Sequence, residues 1–130
     1  MASISPAHHP LLHRAIKSRA WFAQMSAAFT LRKATDTRPA ETDLSLILSA
    51  LCTKSICAAQ QNTCYGEFVL GTEAVLAVAT DNGWQLDQDA PNHARLLGLP
   101  LHGSPKQLIE DAATALAELI RDVQHRPAED

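Results

Sequence analysis

Thr72-Glu73-Ala74-Val75-Leu76-Ala77-Val78-Ala79-Thr80-Asp81-Asn82-Gly83-Trp84-Gln85-Leu86-Asp87 is the stretch on which the fold turns. Two readings compete for it. In the first, Thr72 caps a helix, Glu73 stands in its first turn, and Gly83 closes it at a left-handed position with Trp84 folding back. In the second, Asn82-Gly83 is a two-residue hairpin turn, and Trp84-Gln85-Leu86-Asp87 alternates as a strand does. Ala74, Ala77 and Ala79 decide between them, because alanine is the best helix former and is depleted in strands. The stretch reads as a helix. A hairpin near 76–87, within an α+β fold, is the alternative.

On the C-terminal side, 91–97 reads as a short helix and 98–103 as a loop. A longer helix follows, with Ser104 as its cap, Pro105 as its first residue and Gln107 completing a capping box. Leu108, Ala112, Leu116, Leu119, Ile120 and Val123 make one apolar face, and Pro127 helps to stop it.

On the N-terminal side, Leu44, Ile47, Leu48, Leu51 and Cys52 fit helical spacing and predict a helix over 40–60. Thr35-Asp36-Thr37-Arg38-Pro39 is a polar break. Before it, 10–34 reads as a first helix that is apolar on two sides. Leu12, Ala15, Ile16 and Ala23 share one side; Trp21, Met25, Ala28 and Phe29 share the other. The sum is an all-α single domain of four to five helices over 10–126, with a flexible leader at 1–9 and a tail at 127–130.

Charge is divided unevenly along the chain. Residues 1–38 hold six of the eleven Lys and Arg and one acid, a net of +5, whereas 39–130 carry a net of −8. A chain of 130 residues that is 46% apolar can bury a core, and its pI near 6 speaks against a dedicated nucleic-acid protein. No stretch has the roughly 18 apolar residues that a membrane helix needs. The three cysteines and the lack of a compact signal-like apolar region point to a reducing, cytoplasmic setting. Residues 1–38 also have the composition of a presequence, rich in Ser and Thr with no acid before Asp36, which would place the chain in an organelle matrix.

Three functional readings follow. The first is a non-enzymatic protein-interaction module: a small adaptor, chaperone-like or regulatory protein that uses amphipathic helices and pairs with a partner or with itself as a homodimer. The second is a nucleic-acid-associated regulator acting through 10–38. Arg14, Lys17 and Arg19 would meet phosphates, and Trp21 or Phe22 would stack or insert. The third is a thiol- or metal-dependent enzyme built on Cys57, Cys64 and His102. The spacing of Cys52, Cys57 and Cys64 is not that of a common zinc knuckle. On one helix, Cys52 and Cys57 would stand about 7.5 Å apart along the axis, too far for a disulfide. No nucleophile–base set, phosphate loop or calcium loop appears, so the residues nominate no catalytic group, metal or cofactor, and the balance leans away from an enzyme.

Overall fold

The computed structural model describes residues 2–31, 36–37, 39, 41–48, 65–101 and 103–125. It overturns the all-α, helical-bundle reading. The described residues form an antiparallel sheet of seven strands with two α-helices, an α+β fold. The strands are β1 (Ala2–Ser3), β2 (Leu11–Ile16), β3 (Asp43–Ile47), β4 (Gly66–Gly71), β5 (Gln85–Ala90), β6 (His93–Leu97) and β7 (Ile120–His125). The helices are α1 (Thr72–Asn82) and α2 (Lys106–Ala117), and two 3-10 turns span Arg19–Phe22 and Met25–Phe29. The sheet order is β1-β5-β6-β3-β2-β4-β7.

α1 forms as its sequence dictates. Gly83 adopts φ 73°, its N–H reaches Thr80 O, and Trp84 N–H reaches Ala79 O at 2.8 Å, the paired bonds of a Schellman end. Thr72 is the first helical residue rather than the cap; its hydroxyl donates to His9 O and its N–H to Pro10 O. The chain then enters β5 directly, so the hairpin near 76–87 is absent too. The hairpin lies one step later, where Pro91-Asn92 joins β5 to β6.

The predicted first helix is a strand followed by 3-10 turns, and the reason lies in its two-sided apolar pattern. Leu12 through Ile16 are all buried, those of both faces alike, and β2 is central in the sheet. Such a strand shows no alternation. It pairs with β4 along its whole length, from Leu11↔Gly71 to Ile16↔Gly66. The predicted second helix begins instead with β3, whose Leu44 and Leu46 turn inward while Ser45 and Ile47 are half-buried. Residues 49–64 lie outside the described residues. The short helix over 91–97 is β6, with Ala94 and Leu96 buried. The last helix ends at Ala117, and Ile120 to His125 pair with β4. Ser104 makes no side-chain cap, and Leu108 is 54% exposed rather than part of a buried face. Residues 2–9, expected as a leader, follow the sheet: Ala2 and Ser3 pair with Gln88 and Asp87, and Ile4 is buried in the core.

Strand registers separate the two sheet faces. Leu12, Ile16, Leu44, Leu46, Phe68, Leu70, Leu86, Ala94 and Leu96 alternate onto one face. There they form one core with Phe29, Val75, Ala79, Ala112, Ala113 and Leu116 from the helical elements. The rings of Phe22 and Phe29 lie 6.5 and 6.2 Å from that of Phe68. Both crossovers, β4-α1-β5 and β6-α2-β7, pass over this face, since α1 and α2 touch each other and share the core. On the second face His13, Ala15, Glu67, Val69 and Asp87 are buried as well, outside that core.

Candidate interaction surface

The five residues nominated from the basic segment separate in space. Arg14 alternates onto the core face of β2 and is only 6% exposed. Its Nε donates to Ala28 O at 2.7 Å and its Nη1 to Ser45 O at 3.0 Å. The guanidinium lies 5.7 Å from the Trp21 ring centroid. Burial pushes it down to about 10, and the charge of Glu41 acts the other way. Arg14 therefore ties the second 3-10 turn to the sheet and is not placed to meet a phosphate. Phe22 packs against the core beside Phe68. Lys17 and Arg19 are exposed just past the end of β2, and Arg19 stacks over Tyr65 at 5.0 Å. Trp21 is half-buried, and its ring faces the Arg14 guanidinium. Cys57, Cys64 and His102 lie outside the described residues.

The second sheet face carries a polar arrangement that the sequence reading missed. His13 Nδ1 donates to Glu67 Oε1 at 3.0 Å; both side chains are buried, Glu67 to 1% exposure. The register neighbours of His13 are Ile47 and Val69, so aliphatic side chains flank the imidazole on both adjacent strands. Toward the other edge, Arg95 Nε donates to Asp87 Oδ2 at 3.2 Å, and Arg95 Nη1 is 4.0 Å from Asp43 Oδ2. Asp87 is 3% exposed, and its Oδ1 is buried without a hydrogen-bond partner among the described residues. At the hairpin, His93 Nδ1 donates to Asp89 Oδ1 at 2.6 Å, and that bond holds the Asp89 carboxyl below its ordinary value. Half-buried Leu11, Ile47 and Leu97 lie among these charges, away from the core on the opposite face.

The Asp87–Arg95 pair has only a partial signal in the sequence, the turn residues Pro91-Asn92. A two-residue turn at Pro91-Asn92 alone would set Asp87 opposite Leu96; the bulge between Gln88 and Ala90 shifts the register and brings Arg95 opposite it. The His13–Glu67 pair carries no such signal, because its members are 54 residues apart. Among the described residues, no group of three His, Cys, Asp or Glu side chains is arranged to hold a metal ion. No described helix is long and apolar enough to cross a membrane. Comparison with family models, curated proteins and solved structures gives no match.

Proposed function

We propose that this chain is a non-enzymatic protein-interaction module whose contact surface is the second face of the sheet, met by a partner protein or by a second copy. The observation that carries this reading is the division of the sheet. One face bears two helices and the core, while the other offers half-buried Leu11, Ile47 and Leu97 beside charged side chains. Apolar positions rimmed by polar groups are the make-up of an interface. The charged pairs have fixed partners, which suits recognition better than turnover. Light scattering of the full chain, with analysis of co-purifying protein, tests it. The native chain is expected as a dimer or a complex. Ile47→Asp and Leu97→Asp are expected to disperse it while leaving the thermal transition in place. A strict monomer without any co-purifying protein would sink the reading.

A second reading keeps the nucleic-acid proposal on a reduced surface of Lys17, Arg19 and Tyr65. The stacking of Arg19 on Tyr65 favours it, since a cation beside aromatic faces suits single-stranded nucleic acid. It predicts binding that weakens steeply with salt and is lost in Lys17→Ala/Arg19→Ala. The absence of any mobility shift at low salt rejects it.

A further inference from the structure

β5 is a six-residue strand at one side of the sheet, and among the described residues its outer edge is paired only at Asp87 and Gln88, by the two residues of β1. An edge with unpaired backbone groups is a template for another strand, which proteins ordinarily block. Here the cover is short. Beneath it lies a buried group with an unmet need: Asp87 Oδ2 is held by Arg95 on β6, while Oδ1 has no partner among the described residues. Buried carboxylate oxygens are normally hydrogen-bonded, and an orphan is costly. The surroundings are negative. Arg95 is shared between Asp87 and Asp43, and Asp89 follows two residues along β5.

We propose that the β5 edge accepts an extended segment of a partner protein that displaces β1 and sets a lysine or arginine against Asp87 Oδ1. This rests on the interaction-module reading and names the partner's chemistry. The register specifies the segment further. The basic residue takes the place of Ser3, which stands opposite Asp87. The next residue takes the place of Ile4, which is buried in the core, and so must be aliphatic. The recognised element is a basic–aliphatic pair in an extended strand. Backbone bonds to β5 supply affinity, and Asp87 supplies selection.

The test uses the full chain and a ten-residue peptide of alternating threonine and valine with a central lysine–isoleucine pair. The control peptide has glutamine in place of the lysine. Calorimetric titration is expected to show the lysine peptide binding about tenfold more tightly, as a charge-assisted bond to a buried carboxylate implies. Asp87→Asn should remove that ratio. Ser3→Pro, which takes away a β1 backbone donor, should tighten both peptides severalfold. The comparison of the two peptides on the unaltered chain stands even if a variant fails to fold. Equal binding of the two peptides, binding of neither, or a ratio that survives Asp87→Asn overturns the proposal. If assembly of the full chain is still dispersed by Ile47→Asp in that event, the interaction-module reading stands and only the edge proposal falls.

Discussion

Gly83 and Gly98 hold positive φ values of 73° and 93°, yet a side chain would meet different surroundings at the two. At Gly83 a Cβ would enter open space. At Gly98 it would come within 3.3 Å of Trp84 Cα and 3.4 Å of Gly83 O, both backbone atoms that cannot swing aside. Gly83→Ala is expected to cost about 1 kcal/mol from backbone strain alone. Gly98→Ala should cost about 2 kcal/mol or more, since overpacking adds to that strain. Urea denaturation of the two variants checks this, and equal losses would contradict it. Arg14 offers a second test. A base lowered by burial holds its proton less tightly in the folded chain than in the unfolded one. The cost of burying it is fully present below about pH 10 and is relieved as pH rises from there toward the ordinary guanidinium range. Glu41 offsets part of that cost. Glu41→Gln is therefore expected to destabilise the fold by about 1 kcal/mol at neutral pH, seen as a lower urea midpoint. An unchanged midpoint would remove Glu41 from this role.

Among the elements, α1 was legible because its signals are local: alanines inside and a glycine just past the end. β2 was not. Its Leu-Leu-His-Arg-Ala-Ile run lacks alternation, and the neighbours that make it a strand lie about 30 and 55 residues further along the chain. β3 and β6 do alternate, but their five residues also fit one turn and a half of helix. At the C-terminus, Leu119, Ile120 and Val123 continue the period of α2 by coincidence, and pairing with β4 overrides it. The candidate surface was legible to a similar degree. Lys17 and Arg19 are exposed, as their charge implies, whereas Arg14 is buried against the same expectation. Glu67 and Asp87 escaped notice because only strand register reveals their partners. β2 also decides the fate of the N-terminal segment. It joins β3 to β4, so deleting residues 1–38 divides the sheet and uncovers Leu44, Leu46, Phe68 and Leu70. Residues 39–130 alone are expected to show no cooperative thermal transition by circular dichroism. A cooperative melt of that fragment would make the segment dispensable and restore the presequence reading.

For the molecule as a whole, the charge division takes a different meaning. The basic segment is not a separate arm on an acidic body. Its middle is a core strand, its only buried cation is Arg14 among the described residues, and its exposed charges Lys17 and Arg19 sit at one end of the sheet. Asp43 stands on β3 beside β2, but Asp87 and Asp89 lie on β5, three strands from β2 in the sheet order. The two sites are thus separable by mutation. Lys17→Ala/Arg19→Ala should leave peptide binding at β5 within about twofold, as distant sites act independently. Competition titrations measure this, and a large change would show that the two surfaces are one.

The interleaved strand order also sets when this chain can fold. β2 is the first full strand to be synthesised, but the length of β4 that flanks it is complete only at Gly71, and β4 in turn waits for β7, which ends at His125. Nearly every pairing that closes the sheet is long-range, and such topologies fold slowly because loop closure precedes reward. During synthesis, then, this central, buried strand emerges with both edges unpaired and stays so for tens of residues. Unpaired edges and apolar side chains exposed for that long are what make a nascent chain prone to aggregate before its sheet can close.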